Sequence, residues 1–265
     1  GLEISRPARP WEFVDATGEK ASLLGSEEGT LEAFVYPLKI FKDLRLRFVV
    51  DGRVIPAETA SRRITATPCA YTITYTSDEF EVRETLIAPV HEPGAMIRLS
   101  ITAYEPLRID VEFARDFQLM WPASLGTAYQ NWNAAKHGFA FGADGYPYAA
   151  FFGSPDAELL SREYESDYHS TRTTRFTLGT VKGKAERLMA VAASMKSDAE
   201  AMATYRRLIA DAGQLQTETE QFYRDYLAKG VQLDLPDPML QQAYDWSRVS
   251  MRRGLVDNPV LGTGL

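Results

Sequence analysis

The sequence predicts a mainly β protein of antiparallel strands, a sandwich or barrel, with a short helical stretch at its C-terminal end. Three observations predict it. Apolar residues alternate with polar ones as far as about Ser194, the breaks between runs are short and rich in turn formers, and beyond residue 195 the period lengthens to that of a helix. Successive side chains of a strand point to opposite faces, so a period of two marks one buried and one wetter face. Antiparallel sheets tolerate that arrangement; wholly parallel sheets generally do not.

The elements follow in order. Gly25 and Gly29, with Glu27, Glu28 and Glu32 around them, precede an apolar run that ends near Phe41. Two readings fit: a surface loop with solvated carboxylates, or glycines that let the backbone pack against another domain or a sugar. Leu44, Leu46, Phe48 and Val50 alternate with Arg45 and Arg47, and Asp51-Gly52 then signals a turn. Tyr71, Ile73 and Tyr75 alternate with threonines, and Phe80 and Val82 lie between Glu79, Glu81 and Arg83. After Glu92-Pro93-Gly94 come Ile97, Leu99 and Ile101, then Leu107, Ile109, Val111 and Phe113. Residues 121–148 interleave Trp121, Tyr129, Trp132, Tyr146 and Tyr148 with Asn131, Asn133, Lys136 and His137. Such aromatics fill β cores; alternatively, their rings stack on the C–H faces of sugars while amides, Lys and His reach the hydroxyls.

The helical signals begin at Ser197, which with Glu200 forms a capping box. Met202, Tyr205, Leu208 and Ile209 follow at helical spacing, and Gly213 suits a left-handed stop. A second helix carries Leu215, Phe222, Tyr223 and Tyr226 and closes at Gly230; Val231 to Leu235 reads as extended. Asp237-Pro238 opens a third, with Asp as N-cap and Pro where its missing N–H costs nothing. Met239, Ala243, Trp246 and Val249 give that helix a broad apolar face, and Gly254 ends it. Such a helix wants a partner, so the segment is expected to start a second domain, with residues 257–265 as a loop leading into it.

Composition narrows the function. With 29 basic and 36 acidic residues the formal charge is −7, and no stretch concentrates Lys and Arg, which argues against nucleic acid as a partner. No apolar run approaches the ~20 residues a membrane helix needs. Cys69 is the single cysteine, read as a small buried hydrophobe. His91, His137 and His169 are scattered, so no metal site is expected. There is neither a nucleophile elbow nor a phosphate-cradling glycine loop, so nothing announces a self-contained enzyme, and no cofactor is expected. No asparagine starts a glycosylation sequon, and the compartment stays open.

At Gly25-Ser-Glu-Glu-Gly29, Leu31-Glu-Ala-Phe-Val-Tyr-Pro-Leu38 and Asn258-Pro-Val-Leu-Gly-Thr-Gly-Leu265, the chain resembles the N-terminal region of bacterial amylo-α-1,6-glucosidase (glycogen-debranching-like) proteins. These are members of the six-hairpin glycosidase superfamily. The resemblance implies a large antiparallel super-sandwich over residues 1–194, a helical linker over 195–236, and the first helix of a truncated (α/α)6 barrel over 237–265. It implies a parent glycoside hydrolase acting on α-glucans, whose carboxylates lie beyond Leu265, so the chain alone is expected to be inactive. An inverting pair, an acid and a base ~6.5–9.5 Å apart, is not assignable within it. The expected partners are the barrel and a neutral oligosaccharide. Candidate sugar or inter-domain contacts are Trp121, Tyr129, Asn131, Trp132, Glu27, Glu32 and Asn258. A free-standing carbohydrate-binding module, a mutarotase-like sandwich and a purely structural brace are the alternatives.

Overall fold

The computed structural model describes residues 1–121, 123, 126–161, 164–167, 172–258 and 262–263. In chain order its strands are β1 (Ile4–Pro7), β2 (Phe13–Thr17), β3 (Ala21–Ser26), β4 (Leu31–Val35), β5 (Leu38–Val50), β6 (Arg53–Pro56), β7 (Ser61–Ala66), β8 (Tyr71–Thr76) and β9 (Phe80–Ile87). Then come β10 (Gly94–Leu119), β11 (Ala128–Asn133), β12 (Gly138–Ala143), β13 (Ala149–Gly153), β14 (Glu158–Leu159), β15 (Tyr164–Asp167) and β16 (Thr173–Ser194). Helices α1 (Asp198–Ala210), α2 (Ala212–Lys229) and α3 (Pro238–Arg253) follow, and β17 (Asp257–Asn258) pairs β18 (Gly262–Thr263). Every described strand pair is antiparallel.

The sheet folds over on itself through its two longest strands. β10 and β16 pair along most of their length, with a register slip between Ala103 and Leu107. The alternation of Ile97–Ile101 and of Leu107–Phe113 therefore belongs to one bent strand of 26 residues. Pro106 sits in the bend, where its missing N–H breaks no ladder bond. On its other edge β10 pairs β9 through residues 96–103 and β5 through residues 107–119. One layer is thus β1-β7-β8-β9, the first half of β10, the second half of β16, and β13-β12-β11-β15. The other is β2-β3-β4-β5, the rest of β10 and β16, and β14.

Aromatic contacts between the layers make the core. Phe48 of β5 lies 4.5 Å from Phe80 of β9 and 5.4 Å from Tyr75 of β8, and Phe41 lies 4.6 Å from Phe152 of β13. Phe113 touches Phe139 and Phe152, all fully buried. Each such side chain removes ~150–250 Å² from water, and edge-to-face pairs add a little more. At Gly29, with φ of 97°, a Cβ would come within 2.6 Å of the Tyr75 hydroxyl, so the glycine seats its turn on this sandwich's own core.

The helices cover the outer face of the first layer. Met202, Tyr205 and Leu208 of α1 and Leu215 of α2 pack on Ile87, Met96, Phe151, Ala190 and Ala192, where small alanines admit the helix. The Ser197 hydroxyl accepts from the Glu200 amide at 3.2 Å, but Glu200 turns to the Ser194 hydroxyl at 2.6 Å, so the capping box is half reciprocal. Gly213 does not stop α1; the break is at Asp211, and Gly213 lies inside α2. Asp237 caps α3, accepting from the amides of Met239 and Leu240, with Pro238 first in the helix. Residues 231–235 join no described strand. In α3 the expected apolar face is divided. Val249 is buried and Trp246 half-buried against Tyr223, Phe222 and Leu2, while Met239, Leu240 and Met251 are exposed.

Candidate functional site

The bend in β10 and β16 brings the two ends of each strand back to one end of the sandwich. There Leu38 pairs Leu119, the Met120 amide donates to Pro37 O at 2.9 Å, and the Tyr36 amide donates to Lys20 O at 2.9 Å. From the first layer, Ala149 pairs Ser194, which carries the 144–148 turn to the same end. A cavity of about 290 Å³ opens between the layers there, lined by Lys20, Tyr36, Pro93, Met195, Glu200 and Asp257 among others. The Tyr36-Pro37 peptide bond beside it is cis. Trp121 follows Met120 and is 68% exposed; Tyr146 is 49% exposed and stacks on Tyr148 at 5.2 Å. A cavity with amino and carboxylate groups, at the same end as exposed rings, can take an amphipathic ligand of about one sugar ring.

The chain leaving α3 is tied to this end by a clasp. The Glu19 carboxylate accepts from Arg252 and from His91 Nδ1, the latter at 2.8 Å, and its backbone oxygen accepts from the Asp257 amide at 2.7 Å. Burial alone would raise the Glu19 carboxyl, but the bonds from His91 and Arg252 hold it below its ordinary value. Arg253 adds bonds to Asp15, Thr67 O and Pro68 O. Removing a charged hydrogen-bond partner costs ~1.5–3 kcal/mol. Glu19→Gln is therefore expected to speed amide exchange in the last turn of α3 about tenfold or more, read by hydrogen-exchange mass spectrometry. Unchanged protection there would show that the clasp does not hold the helix.

The sequence candidates do not come together as one cluster. Trp121, Tyr146 and Tyr148 lie at the clasp end, whereas the β11–β12 turn with Asn133, Lys136 and His137 lies at the opposite end, because Asn133 pairs Gly138. Trp132 falls on the same face as buried Ala128 and Gln130 and meets the core ring of Phe139 at 5.0 Å. Tyr129 and Asn131 share the other face of β11; the Tyr129 ring lies over Gly142, where a Cβ would clash with it. Glu27 is no solvated loop carboxylate. It is fully buried and bonded to Arg6, Tyr71 and the Arg9 amide. Glu32 pairs with Lys39 at 2.6 Å, which also reaches Asp116 at 3.0 Å. Asn258 is buried in β17, beyond the clasp. Residues 259–261, 264–265 and His169 lie outside the described residues. Sequence reading missed the Tyr36-Pro37 turn, Glu19 and Lys20; Pro37 marked the turn, but nothing local marked its neighbours.

No family model matches the chain, and no curated protein matches it. Solved structures do. A bacterial glucoamylase complexed with acarbose superposes with a TM-score of 0.64 at 12% identity, over 93% of this chain and 40% of that enzyme. The family GH92 α-mannosidase of Bacteroides thetaiotaomicron gives 0.56 at 10% identity, over 97% and 38%. Another family GH92 glycosyl hydrolase gives 0.55 at 11% identity, over 89% and 38%. The chain has the sandwich fold of these glycoside hydrolases. It spans about two-fifths of their length.

Proposed function

We propose that this chain is the non-catalytic sandwich domain of a glycoside hydrolase acting on α-glucans, of the amylo-α-1,6-glucosidase kind. In this reading it braces a helical catalytic barrel and offers the Trp121–Tyr146 end to a neutral oligosaccharide. The observation that carries the reading is the coincidence of two features at one end of the sandwich. The exposed rings of Trp121 and Tyr146 lie at the end that holds the cavity, and the chain leaving α3 is clasped there through Glu19 and Asp257, the latter in the cavity wall. A barrel that continues from α3 would meet substrate within reach of those rings. The fold shared with the glucoamylase supports this reading.

A calorimetric titration with maltoheptaose tests it. Wild type is expected to bind with a millimolar dissociation constant, near −4 kcal/mol, and Trp121→Ala to weaken binding several-fold while Trp132→Ala leaves it alone. Binding lost in Trp132→Ala but kept in Trp121→Ala would overturn the assignment. Incubated with maltooligosaccharides and branched dextrins, the chain should release no reducing ends. Robust hydrolysis abolished by one Asp or Glu substitution would contradict a non-catalytic role.

The exposed face of α3, with Met239, Leu240 and Met251, is the surface we assign to the barrel. Left uncovered it should make the isolated chain self-associate. Sedimentation should show concentration-dependent association that Met239→Lys with Leu240→Lys abolishes. A strictly monomeric wild type would count against it.

A further inference from the structure

A second aromatic pair stands at the end of β2 remote from Glu19. Trp11 and Phe13 are 75% and 85% exposed. They flank Glu12 at the start of β2, where Phe13 pairs Ser26. Trp11 is the third residue of a turn closed by the Glu12 amide donating to Arg9 O at 2.9 Å, with Pro10 in the second position, which suits its fixed φ.

The turn is held from below. Buried Glu27 accepts from the Arg9 amide at 2.7 Å, and the Glu27 amide donates to Glu12 O at 3.0 Å. Arg6 grips the same carboxylate with both terminal nitrogens. A buried ion pair is thus spent on fixing the backbone on either side of Trp11. The bonds that stabilise this turn also hold Trp11 in place, and a ligand that needs its ring preorganised gains from that.

We propose that Trp11 and Phe13 form a carbohydrate-stacking platform, a subsite separate from the Trp121 end. This rests on the carbohydrate reading above. Size and chemistry select the occupant. Two aromatic side chains offer about 300–500 Å², short of the ~800 Å² per partner that a stable copy–copy interface buries. Arg9 and Glu12, paired across the turn at 3.8 Å, border the rings, so an occupant must present apolar area and hydrogen-bonding edges side by side. A sugar chain does both: its C–H faces stack while its hydroxyls meet the guanidinium and carboxylate. Trp11 in the turn and Phe13 at the start of β2 are two residues apart, and both rings face solvent.

The test uses the full 265-residue chain. Maltoheptaose is titrated by NMR into wild type, Trp11→Ala, Phe13→Ala and Trp121→Ala. The platform predicts that Trp11→Ala and Phe13→Ala each weaken one binding event about tenfold, the loss of a stacked ring, and that Trp121→Ala leaves that event intact. Circular dichroism checks that each variant is folded. If only Trp121→Ala weakens binding, the platform is wrong and the carbohydrate reading survives. If no variant and no wild type binds, both fall. If Trp11→Ala instead abolishes dimerisation in sedimentation, the pair is a contact between copies and the platform is overturned.

Discussion

Replacing Glu27 by alanine is expected to cost about 3–5 kcal/mol, the range found when one partner of a buried ion pair is removed. The carboxylate lies inside the turn between β3 and β4 with two bonds to Arg6 at 2.7 and 2.8 Å, one from Tyr71 at 2.6 Å and one from the Arg9 amide at 2.7 Å. Alanine would strand the buried Tyr71 hydroxyl and release the Arg9 amide, while Arg6, a quarter exposed, regains water. The loss should appear as a fall in melting temperature on the order of 10 °C and as early exchange of β1 amides. Burial alone would raise the Glu27 carboxyl, but the bonds from Arg6, Tyr71 and the Arg9 amide hold it below its ordinary value of 4.5. The folded chain therefore binds that proton less tightly than the unfolded one. Its contribution is complete above about pH 4.5 and fades as pH falls through the depressed folded value. In Glu27→Gln that acid limb should flatten. A wild-type melting temperature in Glu27→Ala would show that the ion pair only offsets its own desolvation.

Alternation alone made most strands legible, since each inward position of β5 and β8 is a large apolar residue or tyrosine, and those of β9 are apolar except Glu84. What it could not show was how far apart in sequence the meeting residues lie. The bend at residues 103–107 depends on a register slip between two long strands, and only that bend brings Tyr36, Trp121 and Ser194 to one end. The segment 121–148 looked like one cluster because its aromatics are close in sequence. A hairpin divides them: β11 runs away from Trp121, so Trp132 ends against the core and Tyr146 returns to the clasp end. Trp246 and Val249 were legible as apolar, but their partners are Tyr223 and Val90 of this chain, which helical spacing cannot reveal. Glu27 carried no local signal at all, because its bonding partners lie 18 to 44 residues away. Glu84 did carry one: it falls on the parity of Phe80, Val82 and Leu86.

That parity has a large consequence for pH. Glu84 points into the core between Ile73 and Leu99 on the adjoining strands. One oxygen accepts from the Tyr75 hydroxyl at 2.7 Å and the other meets no partner. Burial pushes its carboxyl up to about 7 from 4.5, against the smaller opposing effect of the Tyr75 bond. Tyr75, buried beside it, is held well above its ordinary value and stays a neutral donor. The folded chain here binds the proton more tightly than the unfolded chain does. The stability from this group is therefore complete below about pH 4.5 and is lost as pH rises through 7. That loss is about 3 kcal/mol, opposite in sign to the acid limb set by Glu27. Denaturant unfolding at pH 5 and pH 8.5 should show wild type weaker at the higher pH by about this much. Glu84→Gln should lose most of that difference, because a neutral amide has no ionisation to force into the core. Its own cost is about 1–3 kcal/mol for an unsatisfied amide group, felt equally at both pH values. The slope between the two pH values, rather than either absolute stability, isolates the buried charge. An equal slope in wild type and Glu84→Gln would mean that water reaches Glu84 when it ionises, and that the core around Tyr75 opens to let it in.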